Sequence, residues 1–145
     1  MNLTDLLRLN ATALALIGHD VALIPDSALT RPTPCDGWTV TDLLQHMNER
    51  HDAVAQTVLD PLDQHSSDPR DDFARITSRW TAVLQTAGPE LNLPSQGPVS
   101  TEWVLGVHTV DMLVHRWDLA SALQTPLPVP AKLVEAVLPL ARAST

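Results

Sequence analysis

Between Thr101 and Leu123 the chain reads TEWVLGVHTVDMLVHRWDLASAL, which sets His108, Asp111, His115 and Asp118 into an otherwise largely apolar run. On an α-helix, at about 100° per residue, these four fall within about 80° of one another and form one stripe. Glu102, Thr109 and Arg116 cluster on the far side, which marks a solvent face and predicts that the stripe points inward. Trp103, Val110, Val114 and Trp117 border it on one flank, Met112 and Leu119 on the other. Inward ionisable groups carry a heavy desolvation cost unless something compensates, and a metal ion does so well. Asp111 and His115 stand at i and i+4, close enough to reach one cation. Asp118 is placed to accept the spare ring N–H of His115. The plain alternative is a buried His–Asp hydrogen-bond network with no metal.

Such a stripe needs partner elements. From Leu3 the apolar positions Leu3, Leu7, Leu14, Ile17, Val21 and Ile24 keep a seven-residue rhythm with Asn10 in the open slot, predicting one helix that ends before Pro25. His19 and Asp20 fall outside the apolar positions and read as a solvated pair. Pro25 to Thr39 is a loop, pinned by Trp38. Its Cys35 has no second cysteine or flanking histidine at ligand spacing and reads as a buried or half-buried thiol. Thr39 with Asp42 opens a second helix running to about Leu59, with the stripe Val40, Leu44, Met47, His51, Val54 and Val58. His51 is central on that face, whereas His46 lies to one side with Leu43 and Arg50.

Asp68 followed by Pro69 starts a third helix whose buried stripe is Phe73, Ile76, Trp80, Val83 and Ala87. Arg70, Asp71, Asp72, Arg75 and Arg79 read as its solvated face. ELNLPSQGPVS reads as a loop leading into the fourth helix, and AKLVEAVLPLARAST is helical by composition despite Pro139. The expectation is an all-α, four-helix bundle with a short C-terminal helical segment, forming one domain over residues 1–145. Bundles build metal sites from side chains on facing helices.

Composition narrows the function. With no tyrosine and one phenylalanine, an aromatic-stranded β architecture is disfavoured. The net charge of −8 disfavours nucleic acid and anionic membrane. A single cysteine, no secretory pattern and no apolar run of spanning length point to a cytoplasmic protein.

PTPCDGWTVTDLLQH (Pro32 to His46) and DMLVHRWDLA (Asp111 to Ala120) resemble the DinB/YfiT-like metalloenzyme bundles, and most closely the actinobacterial branch related to the N-terminal domain of mycothiol-dependent maleylpyruvate isomerase. The resemblance spans about Leu3 to Thr125. It implies a divalent ion, zinc foremost, held by His46 of the second helix and by Asp111 and His115 of the fourth, with His51 as the fallback for His46. The isomerase has glutamate where this chain has Asp111, one methylene shorter.

Three such ligands leave a coordination position open, where a thiol would lose its proton. The leading expectation is therefore a metal-dependent transferase or isomerase that activates a low-molecular-weight thiol such as mycothiol for attack on an electrophilic small molecule. His108 is the candidate proton shuttle, with a hydrogen-bonding core histidine as the alternative. Trp38, Trp103 and Trp117 could wall the pocket. Two other readings stand beside this one: hydrolysis by a metal-activated water, and a non-catalytic bundle that binds metal or ligand, as a homodimer through an exposed helix face.

Overall fold

Asn2 and Thr39 each precede a run of helix formers and carry an aspartate three residues later, and both close full capping boxes. The Asn2 and Thr39 side chains accept from the amides of Asp5 and Asp42, whose carboxylates accept in return from the capping backbone. In the computed structural model, which describes residues 1–143, these caps start α1 (Leu3–Ala22) and α2 (Val40–Ala55). Asp68 accepts from the Arg70 amide ahead of Pro69, starting α3 (Pro69–Thr86). Ser100 caps α4 (Thr101–Leu123), which ends at Gln124 in a left-handed conformation, and α5 (Ala131–Ala143) contains Pro139.

The bundle matches the all-α expectation in its four long helices and fifth segment, with two differences at the joints. The second helix stops at Ala55, and only turns carry the chain to Leu59. The stretch expected as a loop before α4 is an antiparallel hairpin, β1 (Glu90–Leu93) with β2 (Gly97–Ser100), paired from Glu90 opposite Ser100 to Leu93 opposite Gly97. Its physical reason is visible in ELNL, where Leu91 and Leu93 alternate with polar residues and turn toward the core. Ser95 at φ 67° and Gly97 at φ 74° supply the left-handed backbone that the tight reversal requires.

Helix α1 packs on α4 and α3, and α2 packs on α3, while α2 and α4 touch little. The space between α2 and α4, closed at one side by the hairpin, holds a cavity of about 370 Å3.

The faces of α4 differ from the simple wheel. Thr109 is fully buried and Arg116 is 5% exposed, so their side is a packed face against α1 and not a solvent face. Arg116 donates from Nε to Asp20 Oδ2 at 2.5 Å and from Nη1 to the carbonyls of Leu127 and Pro128. Asp20 is thus a buried partner of Arg116 and not half of a solvated pair, although His19 beside it is exposed. Trp103, Val114 and Trp117 are exposed, because α1 and α5 cover the other sides of the helix. On α3, Asp72 is buried and Arg70 pairs with Asp68 and Asp26, so the face read as solvated is partly an ion-pair network.

Candidate metal centre

Helix α2 presents His46 to the cavity, and one turn later its buried side presents His51; α4 faces them with His108, Asp111 and His115. These histidines divide into two groups with different chemistry.

The inner group is a closed hydrogen-bond chain. The indole N–H of Trp80 can only donate, so the Asn10 Oδ1 that lies 3.1 Å away accepts it. That orientation points Asn10 Nδ2 at His108 Nδ1, 2.7 Å away, and at Thr109 Oγ1, 3.0 Å away. His108 Nδ1 is then an acceptor, and its Nε2–H donates to His51 Nε2 at 2.7 Å. His51 Nδ1–H in turn donates to the Met47 carbonyl at 2.6 Å. Every ring nitrogen of His51 and His108 is engaged, with both rings neutral. Burial holds the His51 pKa down at about 4, and burial followed by the neighbouring His51 holds His108 well below the ordinary histidine value. The chain Trp80, Asn10, His108, His51 and Met47 ties together α3, α1, α4 and α2. Sequence reading placed His51 inward correctly but missed the roles of Asn10 and Trp80. The signal was there, since Asn10 fills a core slot of α1 and demands partners.

The outer group is His46, Asp111 and His115. The His46 and His115 rings lie 5.9 Å apart edge to face, and His115 Nε2 is 3.4 Å from Asp111 Oδ1. On its other side His115 Nδ1 lies 3.3 Å from Asp118 Oδ2, the partner placement that the spacing predicted. Asp118 also accepts from the half-buried Cys35 thiol, whose pKa is raised by burial and by this carboxylate. Asp111 is 51% exposed, so it stands at the cavity mouth and not in the interior. Burial works against its charge, but the hydrogen bond and charge of His115 outweigh that and keep its pKa below the usual carboxylate value. Burial likewise opposes a charged His115, and Asp111 with Asp118 more than reverse the effect, raising its pKa. For His46, burial and the nearby His115 lower the pKa.

Donor chemistry suits a divalent ion. His46 has no hydrogen-bond partner among the described residues, and its half-buried ring packs on Trp38 with centroids 4.7 Å apart. His115 carries the outer carboxylate that orients a ligating imidazole, and Asp111 supplies negative charge. His115 and Asp111 rest on each other, and among the described residues no group of three or more His, Cys, Asp or Glu side chains is arranged so that it could hold a metal ion. A ligating His115 would have to be unprotonated at the nitrogen that meets the cation, so uptake of an ion there would compete with protons.

Of the expected pocket walls, Trp103 lines the cavity and Trp38 backs His46, whereas Trp117 lies outside it; Trp80, read only as core, lines it as well. No described helix is long and apolar enough to cross a membrane.

Residues 11–71, which include His46 but neither Asp111 nor His115, match the family model described as the mycothiol maleylpyruvate isomerase N-terminal domain. A crystal structure of a mutant of the mycothiol-dependent maleylpyruvate isomerase superposes over 95% of this chain and 68% of its own, with a TM-score of 0.67 at 14% identity. This chain shares the fold of that isomerase, and over residues 11–71 it resembles the isomerase's N-terminal domain. Two uncharacterised proteins, one from each of two Mycobacterium tuberculosis strains, are each 30% identical to it over 96 residues, 63% of this chain and 52% of the relative. The chain therefore matches about half the length of these relatives. The isomerase-related fold is carried by all four long helices, including the α4 that bears Asp111 and His115.

Proposed function

We propose that His46, Asp111 and His115 hold a divalent metal ion, zinc foremost, and that the chain is a thiol-dependent transferase or isomerase acting on an electrophilic small molecule. The observation that carries this reading is the edge-to-face approach of an unpartnered α2 imidazole, His46, to the carboxylate-oriented α4 imidazole of His115, with His46 and Asp111 both lining one cavity. The isomerase-related fold supports mycothiol as the thiol. When bound, the ion lowers the pKa of a thiol so that a thiolate forms near neutral pH.

The chain's own residues do the rest. Asp118 fixes the His115 ring so that Nε2 faces Asp111. The locked Asn10–His108–His51 chain forms a neutral, polar floor that adds no competing positive charge beside the site. Because both ring nitrogens of His108 are occupied, its part is to hold that floor and position the α4 ligands rather than to carry protons. The apolar walls, Trp80, Trp103 and Met112, exclude water around a small electrophile.

Zinc titration by calorimetry, with metal analysis of the protein as purified, tests the site. The wild type is expected to take up one equivalent, and His46→Ala, Asp111→Ala and His115→Ala each to weaken uptake about 100-fold or more, while circular dichroism stays unchanged. Loss of free thiol from a mixture of mycothiol and an electrophile is expected only with metal-loaded wild type. Wild-type protein that binds no zinc would overturn the proposal, as would alanine variants that bind it equally well.

A further inference from the structure

Most arginines in this chain are engaged. Arg70, Arg75 and Arg116 pair with carboxylates, and Arg31 and Arg79 donate to backbone carbonyls. Arg50 is different. It lies one turn beyond His46 on α2, lines the cavity between α2 and α4, and has no hydrogen bond or ion pair among the described residues. Carboxylates are not scarce on the chain, which has 17 Asp and Glu against 9 Lys and Arg. The one carboxylate among the cavity-lining residues, Asp111, is already held by His115.

On the hairpin, Gln96 lines the same cavity. It is set between Ser95 and Gly97, both at positive φ, and Ser95 lacks the freedom of glycine there. A non-glycine residue in that region carries a cost of order 1 kcal/mol. The strained turn thus places an amide donor at the cavity that holds an unpaired guanidinium.

We infer that Arg50, with Gln96, forms an anion subsite for the carboxylate of the small molecule that occupies this cavity. A guanidinium offers two parallel N–H donors matched to a carboxylate, and a side-chain amide adds a third. The apolar walls, Trp103 and Leu93 among them, fit a flat or hydrocarbon body attached to that carboxylate. The preferred ligand class is an organic acid whose reactive carbon lies toward His46 and Asp111. This assignment rests on the proposed function for what happens to the ligand, and not for its binding.

The metal-free chain, titrated at low ionic strength with phenylacetate and with its neutral isostere phenylacetamide, tests it through tryptophan fluorescence. Wild type is expected to bind phenylacetate about tenfold more tightly than the amide. Arg50→Met is expected to abolish that preference while leaving amide binding unchanged, Arg50→Lys to retain part of it, and Gln96→Ala to reduce it. Equal binding of the two probes by wild type, no binding of either, or a preference that survives Arg50→Met would each overturn the inference. Zinc uptake by Arg50→Met, expected to match wild type, separates the two claims. Normal zinc uptake with no carboxylate preference defeats the subsite alone, and a carboxylate preference without zinc uptake defeats the metal site alone.

Discussion

His51 and His108 show how a buried imidazole is kept as a neutral dipole instead of a charge. Each nitrogen has one partner, and the donor direction runs without a break from the Trp80 indole to the Met47 carbonyl. A proton added anywhere along the chain would leave a donor facing a donor. The consequence is a pH dependence of stability with a definite sign. The unfolded chain protonates His51 near the ordinary value of about 6.5, whereas the folded chain resists until about 4. Between those values the unfolded state binds more protons, so stability is full above pH ~6.5 and falls as pH drops toward 4, by about 1.4 kcal/mol per pH unit for this histidine. Urea midpoints measured at pH 7.5 and pH 5 are expected to show that fall. His115, with its raised pKa, titrates with the opposite sign. The His51 contribution is therefore read from the shallower slope expected of His51→Gln, and an unchanged slope would contradict the assignment.

Among the elements, α4 bears most of the site and is packed on most of its circumference. Its Arg116 is the hinge between the bundle and the proline-rich segment that follows, since the one guanidinium is shared by Asp20 of α1 and the carbonyls of Leu127 and Pro128. Asp20→Ala leaves that buried cation with carbonyls alone, so unfolding by urea is expected to show a loss of about 3–5 kcal/mol. A loss below about 1 kcal/mol would contradict the role of this pair as a clamp. The same helix explains what was legible beforehand. The i, i+4 spacing of Asp111 and His115 and the Asp118 partner follow from helical geometry within one element, and the structure reproduces both. What a single wheel could not supply was the number of neighbours. With α1 on one side and α5 on another, the polar Thr109 and Arg116 are buried and the apolar Val114 and Trp117 stay exposed, as does much of Trp103 at the cavity edge. The hairpin was missed for a related reason. Two four-residue strands give only two inward leucines in ELNL, too short a period to stand out beside the Pro, Ser and Gly around them.

At the scale of the whole molecule, the four long helices leave α2 and α4 apart and the hairpin closes one side of the gap, so the bundle is built around an opening as much as around a core. Asn10 and its partners brace that opening from below, and His46 stands across it from Asp111 and His115. His46 faces the site because α2 turns the edge of its buried face toward α4, leaving His51 to the Asn10 chain. A sequence wheel ranks the two histidines by distance from the apolar centre, but only the packing of α2 against α3 decides which meets which partner. Zinc K-edge absorption spectroscopy of the protein loaded with one equivalent of zinc tests the central claim most directly. Two imidazole nitrogens and a carboxylate oxygen at about 2.0–2.2 Å are predicted, with one imidazole lost in His46→Ala and the spectrum unchanged in His51→Gln. A zinc environment of water oxygens alone, or one altered by His51→Gln but not by His46→Ala, would contradict the account.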